Sequence, residues 1–101
     1  MKDFIFLMHD DAPRDRASDD AHDWPRYIAE LERRGRFAGG SEIGMGLCVR
    51  KGGEAGSIAR HLVGYLKVRA HSFDDAQELL AGNPAYEAGG TVEIRELPRS
   101  D

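Results

Sequence analysis

A chain of 101 residues with formal net charge −4 and a sequence pI of about 5.5 is one domain's worth of protein, and its acidity argues against the clustered positive face that nucleic acid requires. Hydrophobic residues make up 41% and charged residues 32%, the balance of an ordinary globular domain, and no segment approaches the roughly 20 apolar residues that span a bilayer. The single cysteine, Cys48, excludes an internal disulfide, and no Cys/His set has zinc-ligand spacing, so neither metal nor cofactor is expected.

The chain opens on a strand over residues 2–9. Phe4, Phe6 and Met8 take one face and Ile5 and Leu7 the other, so both faces need cover and the strand belongs inside a sheet. The apolar run is too short for a signal-peptide core, and a cytoplasmic location is the expectation. Residues 10–20 are polar, aspartate-rich and contain Pro13, which is loop composition. Trp24, Tyr27, Ile28, Leu31 and Gly35 then fall on one helical stripe. Pro25 suits a first turn, placing the start near Asp23, and Arg33, Arg34 and Gly35 suit the end.

Residues 36–50 predict a second strand region, with Phe37, Ile43, Met45, Leu47 and Val49 on one parity and Gly44, Gly46 and Cys48 on the other. Gly39-Gly40 marks a bend or bulge, and Cys48 reads as a small packed residue. The glycine-rich segment from Lys51 to Ser57 is a turn or loop. Residues 61–71 alternate as a third strand, with Leu62, Leu66, Val68 and Ala70 on one face and Val63, Tyr65, Lys67 and Arg69 on the other. Ser72-Phe73-Asp74-Asp75 signals the cap of a second helix, which Gly82-Asn83-Pro84 stops. Thr91 to Leu97 forms the last strand, ended by Pro98.

The order βαββαβ predicts one α+β domain over residues 1–101. It is ferredoxin-like, a four-stranded antiparallel sheet with both helices on one face. The other face, with Ile5, Leu7, Val63 and Tyr65, is too apolar for water, and a second copy of the chain is its expected cover.

In this order the sequence resembles the YCII-related family, including its DGPF branch. The resemblance is carried by four stretches, residues 1–11 (MKDFIFLMHDD), 37–41 (FAGGS), 70–76 (AHSFDDA) and 89–98 (GGTVEIRELP). They span nearly the whole chain in sequence. The resemblance implies a dimeric α/β barrel, two sheets packed face to face, and a His/Asp pair as active site in some members. The chain departs from the family in lacking the Asp-Gly-Pro-Phe tetrapeptide and in carrying Asn83 where an Asp often precedes the proline. An amide cannot act as a general base.

Several residues carry candidate chemistry. His9 and Asp10 stand where the first strand leaves the sheet, and an imidazole beside a carboxylate can shuttle a proton near neutral pH. Neighbouring side chains on a strand point apart, so the pair need not touch, and a plain polar strand exit is the alternative. His22 precedes the first helix where YCII-like proteins often carry a His; an exposed His beside a helix-start Asp is the bland alternative. Trp24 and Tyr65 offer aromatic faces, and Arg50 a bidentate anion partner, although core packing and cross-strand ion pairs account for such residues as often. No Gly-Lys-Ser/Thr follows the glycine pairs, and Ser41 has no base beside it. Two function classes remain open. One is a homodimeric domain binding a small polar or aromatic molecule between helix and sheet. The other is a cofactor-free enzyme of isomerase or lyase type, with His9, Asp10 and His22 as acid–base groups and Trp24, Arg50 and Tyr65 as ligand contacts.

Overall fold

The computed structural model describes residues 1–13 and 23–99. The elements run β1 (Lys2–His9), α1 (Asp23–Arg33), β2 (Phe37–Glu42), β3 (Leu62–Ala70), α2 (Phe73–Glu78), a one-turn α3 (Pro84–Glu87) and β4 (Val92–Leu97). The sheet order is β2-β3-β1-β4 and every pairing is antiparallel, which is the ferredoxin-like α+β arrangement. β1 is central, as its two apolar faces require.

The helices cover one face only. Phe4, Phe6 and Met8 of β1 and Leu66, Val68 and Ala70 of β3 are buried with Tyr27 and Leu31 of α1, Ala76 of α2, and Leu79 and Leu80. The period-2 pattern of the strands meets the helical stripe of α1 in this single cluster. Tyr27 is buried, yet its hydroxyl donates to the Leu79 carbonyl at 2.7 Å, and burial pushes its pKa up to about 12. The end of α1 follows the left-handed glycine cap: Gly35 takes φ 70°, its N–H reaches the Glu32 carbonyl at 3.0 Å, and the Arg36 N–H reaches Leu31 at 2.9 Å.

The open face follows from the strand register. Leu7 pairs with Tyr65 and Glu93, and Ile5 with Lys67 and Arg95. Paired residues share a face, so Ile5, Leu7 and Tyr65 stand half-buried among Lys67, Glu93 and Arg95 on the side without helices.

The second strand is shorter than its alternation predicts. It ends at Glu42; the Ile43 N–H still donates to the Val63 carbonyl at 3.0 Å, and beyond that residue the segment to His61 has no strand pairing. Met45, Leu47 and Val49 are 98%, 78% and 84% exposed, and Cys48 is exposed rather than packed. The apolar alternation is present, but within this chain it meets no partner strand and no core. Residues 43–61 thus form an arm between β2 and β3. The second helix also divides: α2 stops at Glu78, and Asn83 caps the separate turn α3, its Oδ1 accepting the Tyr86 N–H at 3.1 Å.

The Asp75 carboxylate joins three elements. Its Oδ2 accepts the His71 N–H at 2.8 Å and the Arg36 guanidinium at 2.8 Å, while the Asp75 N–H reaches the Ser72 hydroxyl that caps α2. The His71 N–H first, and then Arg36, hold the Asp75 carboxyl below its ordinary 3.8. A carboxyl whose folded pKa is depressed contributes stability above its unfolded value and loses it as pH falls through the folded one. Asp75→Asn is therefore expected to lower the urea midpoint at pH 7 and to converge on the parent only as pH falls through the depressed folded pKa of Asp75. An equal loss at pH 7 and below that folded pKa, measured by urea titration, would contradict the charge-based account.

Candidate functional site

A cavity of about 540 Å³ opens where β1 leaves the sheet, between the start of α1, the turn α3 and the ends of β2 and β3. Its apolar walls come from Met8 and Leu66 on the strands, Trp24 and Ile28 on α1, and Ala85 and Ala88 around α3. The pattern that makes α1 amphipathic aims Ile28 at the sheet and leaves Trp24, one turn earlier, at the mouth. The Trp24 ring stands edge-to-face on Tyr27 at 6.1 Å between centroids, which ties it to the core.

Two glycines on the strands keep this space open. A Cβ on Gly40 would meet Leu66 Cδ2 at 2.5 Å and the Tyr65 carbonyl oxygen at 2.7 Å. No side chain fits there, and the pairing of β2 with β3 shifts register between Phe37 and Gly40. Gly64 leaves room beside the tip of Met8, 3.4 Å from where its Cβ would stand.

The rim is polar and acidic, with His9, Asp10, Asp23 and Glu42 among the lining residues. His9 is held by three contacts. Its N–H donates to the Thr91 carbonyl at 3.0 Å, its Nε2 lies 3.1 Å from Glu93 Oε1, and its ring meets His61 edge-to-face at 4.7 Å. The Glu93 partner is a diagonal cross-strand neighbour, reached because β4 lies beside β1. Arg95, donating to Glu93 at 3.2 Å, and then His9 hold the Glu93 carboxyl below the usual carboxylate range. Next along the chain, Asp11 accepts the Thr91 N–H at 2.7 Å and the Thr91 hydroxyl at 2.6 Å, and these bonds lower its pKa.

His9 and Asp10, Trp24, and Tyr65, from three different parts of the sequence, thus line one cavity. Tyr65 does so from β3, where it pairs with Leu7 on the helix-free face. Arg50 is not among the lining residues; it stands exposed on the arm, because β2 ends eight residues before it. His22 lies outside the described residues. The carboxylate bonded to His9 is Glu93 rather than the adjacent Asp10, whose N–H instead donates to the His61 carbonyl at 2.7 Å.

Glu93, His61, Ile28 and the α3 residues were not singled out from the sequence. Only the pairing of β1 with β4 brings Glu93 to His9, and no local pattern announces a contact 84 residues apart. Asn83 is fully buried as the cap of α3, and its Nδ2 lies near the Tyr27 hydroxyl without a hydrogen bond of good geometry. Among the described residues no group of three or more His, Cys, Asp or Glu could hold a metal ion, and no helix is long and apolar enough to cross a membrane.

No protein-family model matches the chain, and no curated protein does. Among solved structures it is similar to 5-chloro-2-hydroxyhydroquinone dehydrochlorinase (TftG) from Burkholderia phenoliruptrix AC1100, in complex with 2,5-dihydroxybenzoquinone. The two share 15% identity at a TM-score of 0.56, over 97% of this chain and 95% of that one. At this identity the likeness concerns the fold, which it supports nearly end to end.

Proposed function

We propose that this chain is a YCII-related domain that acts as a homodimer and binds a small, neutral, hydroxylated ring in the cavity between α1, α3 and the sheet. The observation that carries the reading is the cavity itself. Its volume of about 540 Å³ falls in the range of small-molecule sites, and its lining is mostly apolar with His9, Asp10, Asp23 and Glu42 among its polar groups. Trp24 offers a face to a ring. Asp10, Asp23 and Glu42 accept hydrogen bonds from hydroxyl groups and disfavour an anion. TftG, with the same fold, was solved with a hydroxylated six-membered ring bound, which supports the ring class, while the neutral charge rests on the acidic lining of this cavity. A cytoplasmic setting goes with this reading.

Titration calorimetry with hydroquinone, and with benzoate as the anionic control, tests it. Hydroquinone should bind and benzoate should not. Trp24→Ala should weaken hydroquinone roughly 10-fold or more, the loss of one aromatic contact. His9→Ala should weaken it as well while leaving the unfolding midpoint within a few degrees. Absence of binding at millimolar hydroquinone, or unchanged affinity in Trp24→Ala, would overturn the assignment.

A second reading rests on one geometric fact, the His9–Glu93 bond. A carboxylate kept ionised beside an imidazole orients the ring. In a cofactor-free isomerase or lyase, His9 would then move the proton, with Asp10 beside it at the rim. Turnover that falls by orders of magnitude in both His9→Ala and Glu93→Gln, with hydroquinone affinity little changed in Glu93→Gln, selects this reading over simple binding.

A further inference from the structure

The arm between β2 and β3 is the largest unexplained feature of the molecule. Its first half repeats an apolar residue at every second position, Ile43, Met45, Leu47 and Val49, which is the pattern of a strand with one buried face. In this chain that face is bare: Met45, Leu47 and Val49 are almost wholly exposed. Nothing in a monomer rewards such a pattern.

We propose that each arm lies against the second copy of a homodimer, continuing the apolar face of its own sheet and gripping the partner's. The inference rests on the dimer of the preceding section and specifies how that dimer is held. Three observations commit the arm to a second copy. The first is continuity. Ser41 pairs with Tyr65, which pairs with Leu7, so the odd positions of β2 belong to the helix-free face. Counted on from Ser41 along an extended chain, Ile43, Met45, Leu47 and Val49 keep that parity and prolong the patch formed by Ile5, Leu7 and Tyr65.

The second observation is charge. The arm carries Arg50, Lys51 and Arg60 against a single acid, Glu54, while the whole chain has a net charge of −4. The rest of the chain is therefore acidic overall, which favours the arm's long-range approach to a second copy, while the helix-free face itself carries Lys67 and Arg95 beside Glu93. The third is size. A stable dimer buries roughly 1,200 Å² or more in total. The helix-free face is interrupted by Lys67, Glu93 and Arg95, and the arm adds the uninterrupted apolar stretch that this face lacks. A two-fold axis lets both arms act at once, each copy giving and receiving the same contact.

The test compares the full chain with the double variant Met45→Asp/Leu47→Asp by light scattering and sedimentation over a dilution series. The parent should be a dimer. The variant should keep the parent's circular dichroism, because neither residue touches the core, and its dissociation constant should rise roughly 100-fold or more. Amide exchange supplies a second measurement: amides of residues 44–49 should be protected in the parent at concentrations where it is dimeric and lose that protection on dilution. A dimeric parent whose variant dissociates no more readily, with residues 44–49 exchanging freely, overturns the arm's role and leaves a dimer held by sheet faces alone. A monomeric parent overturns the dimer and the arm's role together.

Discussion

Phe6→Ala is expected to leave the domain largely unfolded at 37 °C. Phe6 is fully buried in β1, the strand that pairs with both β3 and β4, facing Leu66 on one side and Ile94 on the other. Removing a buried phenylalanine ring costs about 3–5 kcal/mol, from lost transfer energy and from the cavity left behind. A domain of this size has only about 5–15 kcal/mol to lose. Relaxation is also restricted, because the ring sits between paired strands on two sides and helices above. Urea titration followed by circular dichroism measures the effect, with Ile5→Ala as control. Ile5 neighbours Phe6 in the chain but is half-buried on the helix-free face, so its loss should cost much less in a monomer. Equal costs for the two variants would mean that the core is not where the burial pattern puts it.

Leu7→Asp is expected to dissociate the proposed dimer. Leu7 sits at the centre of the helix-free face, between Tyr65 and Glu93. A carboxylate there would be buried against the same residue's counterpart across a two-fold axis, or close to it, and beside Glu93. Burying an unpaired charge next to like charge costs far more than the lost apolar contact. The dissociation constant should rise by more than about 100-fold, read by sedimentation, while helix content stays as in the parent, since the side chain points away from the core. A variant that remains dimeric at micromolar concentration would move the interface away from this face.

The elements that formed in the structure are those in which local pattern and tertiary need agree. β1 alternates apolar residues on both faces and lands in the middle of the sheet; Trp24, Tyr27, Ile28 and Leu31 make a stripe and α1 forms under it; Ser72 caps α2 through the Asp75 N–H. The segment from Ile43 to Val49 also alternates, yet no strand pairing forms there, because periodicity states a demand for a buried face without saying which molecule meets it. The cavity divides in the same manner. His9 and Asp10 were legible as a polar strand exit, and Trp24 as an aromatic near a helix start. Glu93 was legible only as an acid on a strand, since its meeting with His9 depends on register between strands at opposite ends of the chain. Arg50 was placed near the cavity on the premise that β2 reached it, and the strand stops at Glu42.

The central position of β1 also bears on how the protein is made. β1 is synthesised well before its neighbours in the sheet, which are residues 62–70 and 92–97. At translation speeds of about 5–20 residues per second, its apolar faces wait on the order of 3–12 s for β3 and a few seconds more for β4. Through that interval the nascent chain presents Phe4, Ile5, Phe6, Leu7 and Met8 as an unpaired strand with two greasy sides, the kind of segment that chaperones retain and that neighbouring polysomes can entangle. Expression yield should therefore depend on elongation rate and on chaperone supply more than the finished domain's stability suggests.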